Sequence, residues 1–309
     1  MTNRFSLDSP IRINWNLGIP TLKSIDKIID ELLTGRILLL SVSGWEKLPV
    51  NVFIQLISLF NKTDTRLSLI HDINNKIELD SKFLKTGIES FIVEIDDINQ
   101  LRTSNMFLYL KKVGADVAVS MKISTQNYKE IPDIFRFCSK NKIKKIIFPN
   151  ITVVGKKIKD VNNQILSSAQ KENLAELINS NNHLLKDIAL DIYDPYLWKL
   201  INANTKETKM LFQGCQAANI VAFIDSVGDV YPCPSLPIKL GNLKQKSLKE
   251  IWASEKRLKI RGAIEQTPEE CKTCSFVKEC KGGCRGITYC LKGSFNFAEP
   301  SCWKNIKNC

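Results

Sequence analysis

Residues 271–284 read C-K-T-C-S-F-V-K-E-C-K-G-G-C, which places four cysteines at the spacing C-x2-C-x5-C-x3-C. Nine of the ten cysteines lie from residue 215 onward, and none lies in the first 137 residues. Three further cysteines extend the pattern: Cys215 and Cys233 upstream, with Gly228 between them, and Cys302 downstream. Thiolates are soft ligands, and short spacings let several of them reach one metal centre without a large apolar core. The stretch therefore predicts a metal-binding module in the last third of the chain.

Four interpretations of the cysteines compete, namely disulfides, structural zinc, iron–sulfur ligation and unliganded buried thiols. The last of these does not explain the number and spacing of the cysteines. Disulfides need an oxidising compartment, and residues 1–10 carry neither a long apolar run nor a cleavage site, so no secretory signal is expected. Structural zinc usually takes tidy groups of four ligands, and the only histidines, His71 and His183, lie far from the cysteines in sequence. Iron–sulfur ligation accommodates the uneven spacing. The pattern favours iron–sulfur ligation, with a structural zinc scaffold as the alternative.

Residues 211–303 resemble the SPASM domain, the C-terminal extension of many radical SAM enzymes that mature peptides and cofactors. The seven-cysteine signature of that family has the spacing found here, including 12 residues between Cys215 and Gly228 and 4 between Gly228 and Cys233. Three further segments are similar to that family, namely L-G-N-L (240–243), S-L-K-E-I-W (247–252) and E-P-S-C (299–302).

The resemblance implies two auxiliary [4Fe–4S] clusters with crossed ligation. Carried over by position, the ligands of one cluster are Cys271, Cys274, Cys280 and Cys302. Those of the other are Cys215, Cys233 and Cys284. Some members add a fourth ligand about six residues before the first cysteine, where this chain has Lys209. The second cluster is therefore expected either to have an open iron or to recruit Cys290 or Cys309.

Residues 1–205 alternate between strand and helix patterns. The apolar run R-I-L-L-L-S-V (36–42) is typical of a parallel strand buried on both faces. Strands are predicted at 11–17, 36–42, 66–71, 90–95, 116–123, 144–151 and 188–193. Helices are predicted at 24–33, 50–60, 79–85, 99–113, 132–141 and 171–179. The pattern predicts an α/β fold with a parallel sheet.

This layout resembles the partial (β/α)6 barrel of radical SAM enzymes. The predicted fold is thus a barrel of that kind over 1–205, joined through the polar stretch 202–209 to a small cysteine-rich α+β SPASM domain over 206–309. In parallel α/β folds, ligands bind at the carboxyl ends of the strands.

The chain departs from the radical SAM pattern at both of its motifs. That family places a C-x3-C-x2-C loop after the first strand, where this chain reads N-W-N-L-G-I-P-T-L-K-S (14–24). Its G-G-E-P-like motif corresponds to S-V-S-G-W-E-K-L-P (41–49), in which Gly44 and Glu46 survive and Trp45 replaces a glycine. S-adenosylmethionine is therefore not expected as a cofactor, and no catalytic residue is assigned.

Other candidate residues are better explained by structure than by catalysis. His71 ends a predicted strand, where a hydrogen-bonded role is commoner than a general base. Glu94, Asp96 and Asp97 end another, and we expect them to face solvent. Cys138, the only cysteine of the front half, lies on the apolar side of a predicted helix and is expected in the core.

Charge and hydropathy exclude some partners. The net charge of +12 comes from scattered lysines with interleaved acidic residues, and no nucleic-acid-binding motif accompanies it. No apolar run of membrane-spanning length occurs, so a cytoplasmic protein is expected. The chain is similar to pseudo-radical-SAM proteins, which keep the auxiliary-cluster domain but lack the S-adenosylmethionine cluster motif. This resemblance implies an iron–sulfur accessory protein that binds a peptide or relays electrons to an intact radical SAM enzyme. The alternatives are an active radical SAM/SPASM maturase and a structural zinc protein.

Overall fold

The computed structural model describes residues 7–18, 22–75, 87–201 and 214–302. The helix predicted at 79–85 and the polar join at 202–209 lie outside the described residues, so the boundary after residue 205 stays a prediction. Within the described ranges, none of the helices has both the length and the apolar character needed to cross a membrane.

One mixed sheet of ten strands organises the molecule. In chain order the strands are β1 (Arg12–Asn16), β2 (Leu39–Ser43), β3 (Arg66–Asp72), β4 (Ile88–Ile95), β5 (Val117–Met121), β6 (Lys145–Phe148), β7 (Ala189–Ile192), β8 (Val221–Ile224), β9 (Asp229–Tyr231) and β10 (Gly241–Asn242). Their spatial order is β10-β9-β8-β1-β2-β3-β4-β5-β6-β7. All neighbours from β8 through β1 to β7 are parallel, whereas β8–β9 and β9–β10 are antiparallel. The predicted α/β class with a parallel sheet is confirmed.

Twelve α-helices connect and cover the described strands. They are α1 (Leu22–Thr34), α2 (Val50–Ser58), α3 (Ile98–Thr103), α4 (Asn105–Lys112), α5 (Ile131–Lys140), α6 (Ile158–Asn162), α7 (Ser168–Ser180), α8 (Pro195–Ile201), α9 (Leu248–Trp252), α10 (Glu255–Glu265), α11 (Val277–Cys280) and α12 (Arg285–Lys292). The single helix predicted at 99–113 is wrong, because Ser104 adopts an extended conformation between α3 and α4. Its hydroxyl accepts the N–H of Phe107 at 3.1 Å and so begins a new helix.

The burial of the front half follows the predicted patterns. All five residues of β5 are buried, as expected for a central parallel strand with both faces covered. In α1 the predicted apolar face is buried, including Ile25, Ile28 and Leu32. Burial of each such side chain stabilises the fold by about 1.5–3 kcal/mol.

The sheet continues from the front half into the cysteine-rich half. Strand β1 pairs with β2 on one side and with β8 on the other, in the register Arg12 to Val221 and Trp15 to Ile224. The parallel sheet is therefore an open, partial barrel whose first strand is covered by the β8–β9 hairpin. The two halves share backbone hydrogen bonds as well as apolar contacts.

Candidate metal centres

The first two cysteines of the pattern flank the β8–β9 hairpin. The backbone carbonyl of Cys215, which lies just before β8, accepts Nη1 of Arg261 from α10 at 2.6 Å. Cys233 follows β9, and the next residue, Pro234, accepts the backbone N–H of Val153 at 2.9 Å. Hydrogen bonds to α10 and to the loop after β6 therefore hold these two cysteines in place.

The dense stretch supplies four buried cysteines. Cys271 ends a 3-10 turn, Cys274 follows it, Cys280 ends α11 and Cys284 caps the start of α12. Each of the four is at most 9% exposed. Buried thiols in short turns have little freedom to separate, so the sequence spacing becomes spatial proximity.

Mutual electrostatics divides the seven cysteines into two groups. Burial raises the pKa of Cys284 well above its usual value, and Glu299 and the thiols of Cys215 and Cys233 raise it further. Burial also raises the pKa of Cys233 to about 12, with Cys215 as a second cause. The pKa shifts thus connect Cys215, Cys233 and Cys284 electrostatically. We call Cys215, Cys233 and Cys284 the hairpin group.

The remaining four cysteines form a second set of neighbours. Burial raises the pKa of Cys271 to about 12, and Cys280, Cys302 and Cys274 add to this rise in that order. Burial and then Cys274 raise the pKa of Cys280, partly offset by backbone N–H groups. We call these four the knuckle group. The division coincides with the two predicted ligand sets, whose binding of clusters stays a prediction.

The chemistry of both groups fits iron–sulfur clusters. Buried, crowded thiols favour the neutral form, and a bound metal centre supplies the positive charge that makes the thiolates favourable. A site for one metal ion needs ligand atoms within about 2.0–2.3 Å of a common point. In ranges 7–18, 22–75, 87–201 and 214–302, no three His, Cys, Asp or Glu side chains are arranged to hold a single ion.

The glycines between Cys280 and Cys284 serve close packing. Gly282 and Gly283 have φ angles of 84° and 77°, a left-handed conformation that favours glycine. A Cβ on Gly283 would lie 2.1 Å from Oε2 of Glu299. This turn therefore lets Glu299 approach the backbone of Cys284.

Arg285 is a fully buried cation that the sequence reasoning missed. Its Nη1 donates to the carbonyls of Gly282 and Phe297 at 3.0 Å each, and its Nη2 donates to the carbonyl of Phe295. Its charge lowers the pKa of Cys215 and of Cys271, one cysteine of each group, against the larger effect of burial. The available signal was the position of an arginine directly after a cysteine in a glycine-rich turn.

One donor of this arginine stays unused among the described residues. Arg285 Nε is buried without a hydrogen-bond partner there. Cluster sulfides and thiolates accept hydrogen bonds, which tune the cluster. The free N–H, lying on a cation close to both cysteine groups, fits such an acceptor.

The other cysteines differ from the two groups. Cys290 lies on α12 beside Ile151 and Val161, and burial raises its pKa. Cys138 is fully buried in the main core, as predicted, with its pKa raised by burial to about 12. Cys309 lies outside the described residues.

A cleft of about 550 Å³ reaches the hairpin group at Cys215. Arg261, Lys278 and Lys281 contribute positive charge to its lining, and the acidic side chain of Glu265 is bound to Arg261 at 2.9 Å. The described lining therefore carries a net positive charge beside one of the candidate ligands.

The connection after β1 does not fit a cluster loop. Only residues 17–21 join β1 to α1, and this connection is shorter than the C-x3-C-x2-C motif itself. Gly18 has a φ of 58°, and a Cβ there would lie 2.5 Å from Cβ of Ser226 in the β8–β9 turn. The cysteine-rich half thus packs directly on the start of this loop.

The segment after β2 is closed by its own side chains. Trp45 is 1% exposed, donates Nε1 to the carbonyl of Ile70 at 3.1 Å and stacks on Phe53 at 5.3 Å. Oε1 of Glu46 lies 3.0 Å from Nδ1 of His71 and accepts the backbone N–H of Asp72 at 3.1 Å. The glutamate of the G-G-E-P-like motif is therefore engaged within the protein.

The remaining acidic candidates have structural roles or face solvent. Glu94 forms an ion pair with Lys122 across the ends of β4 and β5, which corrects the expectation that it faces solvent. Asp97 is also corrected, because it caps α3 by accepting the N–H of Asn99 at 2.8 Å. Asp96 is exposed, as predicted.

Comparisons with known proteins agree with this geometry. Residues 215–275 match the family model SPASM, an iron-sulfur cluster-binding domain. An AdoMet-dependent heme synthase of Nitratidesulfovibrio vulgaris is 23% identical over 209 residues, which cover 63% of this chain and 55% of that protein. A cysteine-type anaerobic sulfatase-maturating enzyme of Clostridium perfringens is 37% identical over 65 residues, or 20% of this chain and 18% of that enzyme. The matched stretches thus span about half or less of these relatives.

The fold is shared with a solved radical SAM structure. Streptococcus suis SuiB bound to S-adenosylmethionine superposes with a TM-score of 0.71 at 15% identity, covering 96% of this chain and 78% of SuiB. SuiB bound to its precursor peptide SuiA gives a TM-score of 0.69. The domain match, the relatives and the common fold together show that the chain belongs to the radical SAM/SPASM superfamily and carries a SPASM iron–sulfur cluster-binding domain.

Proposed function

We propose that the protein is an iron–sulfur accessory protein of peptide or cofactor maturation, which holds two [4Fe–4S] clusters and does not cleave S-adenosylmethionine. One observation carries the proposal: seven cysteines with the SPASM spacing lie in the last third, four of them buried and three half-buried, whereas the strand edge used by radical SAM chemistry has no thiol motif. In this role the protein binds a peptide or relays electrons to an intact radical SAM enzyme.

The two cysteine groups support the cluster assignment. The knuckle group offers four thiols to one cluster, and the hairpin group offers three to the other. When bound, the clusters supply one-electron transfer. Arg285 offsets the negative charge of the thiolates from a position close to both groups. The cleft at Cys215 gives an external molecule access to the hairpin group.

The front half supports an accessory role over a catalytic one. Residues 17–21 supply no thiolates, so this loop cannot hold the site-differentiated cluster that delivers an electron to the sulfonium. The side chains of Trp45 and Glu46 are committed to contacts with Ile70, His71 and Asp72.

A peptide partner is supported by the fold that the chain shares with a peptide-binding protein. SuiB has been solved with its precursor peptide SuiA, and it superposes on nearly the whole of this chain. A sulfatase-maturating enzyme is also among the relatives. We therefore propose a peptide as a partner of this protein.

Anaerobic purification with metal and sulfide analysis tests the proposal. We expect about eight irons and eight sulfides per chain, from two four-iron clusters. Incubation with S-adenosylmethionine and a low-potential reductant is expected to yield no 5′-deoxyadenosine. Stoichiometric zinc in a colourless preparation would identify a structural zinc protein instead. Formation of 5′-deoxyadenosine would identify an active maturase, as the AdoMet-dependent relatives suggest.

A further inference from the structure

Glu299 contacts one cysteine of each group. Its side chain is buried, and Oε2 accepts the backbone N–H of Cys284 at 2.8 Å. Its backbone carbonyl accepts the N–H of Cys302 at 2.8 Å, while Oε1 accepts the hydroxyl of Ser301 at 2.7 Å. The carboxylate therefore lies against the hairpin group, and the backbone of the same residue lies against the knuckle group.

A lysine from the front half holds this carboxylate. Lys171, on α7, is 4% exposed, and its Nζ contacts both Glu299 and Asp194. Asp194 also caps α8 by accepting the N–H of Tyr196 at 2.9 Å. Burial disfavours the charge of Lys171, but the two carboxylates outweigh burial and raise its pKa above the usual value. The three side chains are thus two carboxylates and one ammonium.

A carboxylate is the member of this network nearest to a proposed ligand. Glu299 and Asp194 bring two negative charges and Lys171 one positive charge, the Arg285 guanidinium also interacts with Glu299, and Glu299 contacts the backbone of Cys284. The adjoining cavity is only about 40 Å³, lined by apolar side chains such as Phe148 and Ile287 in addition to the three charged ones. It has room for a few waters at most. Charges interact more strongly in such a setting than at an exposed surface.

We propose that Glu299, held by Lys171, is a positioning residue that lowers the reduction potential of the cluster bound by Cys215, Cys233 and Cys284. This inference rests on the proposed function, which supplies the cluster. The cluster takes one electron from an external low-potential reductant, and a fixed negative charge beside a ligand opposes that added electron. Net charge and hydrogen bonding around a cluster are main determinants of its potential.

The substitution Glu299→Gln separates charge from geometry. The amide oxygen of glutamine still accepts the N–H of Cys284, but the negative charge is gone. In a redox titration of the purified protein followed by electron paramagnetic resonance, we expect the midpoint potential of the hairpin-group cluster to move to a more positive value. The cluster of the knuckle group is expected to move less. Lys171→Arg retains the positive charge and is expected to leave both potentials near those of the wild type.

Two further substitutions of a carboxylate by an amide test whether the shift in midpoint potential becomes smaller with distance from Cys284. Asp194→Asn removes a charge one contact farther from Cys284, so a smaller shift in the same direction is expected. Asp191→Asn is the matched control, because Asp191 pairs with Lys145 at 2.8 Å and its side chain is 37% exposed, so that solvent screens its charge. It is expected to cause no shift.

The outcomes decide between a tuning role and a purely structural one. Wild-type potentials in a Glu299→Gln protein with full iron content would overturn the inference. If the Glu299→Gln protein does not retain iron, the midpoint potential of the Asp194→Asn protein decides. An unchanged potential in that variant, with intact clusters, overturns the inference equally. Absence of clusters from the wild-type protein would defeat the proposed function and this inference together, whereas clusters with unshifted potentials would defeat only this inference.

Discussion

The carboxyl-terminal edge of the parallel strands and the cysteine-rich last third differ in how their polar side chains are satisfied. At the strand edge, Glu46 meets His71 and Glu94 meets Lys122, so charged groups find partners within the fold. In the last third, buried thiols crowd together and raise each other's pKa. Oε2 of Glu46 and Nε2 of His71 are nevertheless buried without a hydrogen-bond partner among the described residues, so the strand edge is not fully satisfied. The thiolates of the cysteine groups would be stabilised by an added positive centre, which fits the proposal that the chemistry of this chain has its centre in the SPASM domain.

Removing one proposed cluster ligand should have the largest effect on iron content. In Cys284→Ala the hairpin group has two thiols left, too few to hold a cluster, so we expect loss of about half of the iron. The measurement is iron and sulfide content after anaerobic purification.

Cys290→Ala is the matched control, because Cys290 lies on the same helix α12 but outside both groups. Its iron content is expected to equal that of the wild type. An equal loss of iron from both variants would contradict the division into ligands and spare thiols.

Removing Arg285, the buried cation close to both cysteine groups, should have the second-largest effect. Arg285→Met removes the arginine donor from the carbonyls of Phe295 and Phe297, while the carbonyl of Gly282 keeps the backbone N–H of Glu299 at 3.2 Å, and it removes the charge that offsets the thiolates. Unpaired buried polar groups cost about 1–3 kcal/mol each. We expect a free energy of unfolding lower by about 3–5 kcal/mol and weaker retention of both clusters, measured by anaerobic urea unfolding and iron content. Wild-type stability with full iron would contradict this role.

Substituting a glycine of the turn between Cys280 and Cys284 should have a smaller effect on stability than Arg285→Met. Gly283→Ala combines a left-handed φ of 77° with a Cβ 2.1 Å from Glu299, so both backbone strain and a displaced carboxylate are expected. Gly293→Ala has a similar φ of 71° but no atom within 4 Å of the new Cβ. Backbone strain alone costs about 1–2 kcal/mol, and Gly283→Ala should destabilise clearly more than Gly293→Ala in urea unfolding. Equal effects would show that the approach of Glu299 contributes nothing.

The smallest effect on iron is expected at the strand edge. Glu46→Gln keeps an acceptor for the N–H of Asp72 but weakens the contact with His71, so we expect a loss of stability of about 1–2 kcal/mol. Iron content and cluster spectra should be those of the wild type. A change in cluster spectra at constant stability would show that the two regions are not independent.

The sequence predicted features that depend on local patterns. Apolar runs such as 36–42 located the buried strands to within a few residues. The two sets of cysteine ligands came from the resemblance to the SPASM domain, and their binding of clusters stays a prediction. The break at Ser104 was also readable in principle, since a serine followed by an apolar run is a common helix start. Local signals of this kind need no knowledge of the fold.

Features that depend on distant partners could not be predicted. Lys171 and Glu299 are 128 residues apart, and neither a lysine on a polar helix face nor a glutamate before a proline indicates the other. The pairing of β1 with β8 is similarly non-local, because any parallel strand with a free edge could have accepted the hairpin. Such contacts arise only once the sheet order is set.

Formation of 5′-deoxyadenosine by the anaerobically purified protein, with its iron content verified and a low-potential reductant supplied, tests the central claim most directly. The account predicts filled SPASM clusters and no 5′-deoxyadenosine above the level of a protein-free control. Production of 5′-deoxyadenosine in amounts comparable to the protein would contradict it, because the front half would then support the cleavage of S-adenosylmethionine without the thiol motif.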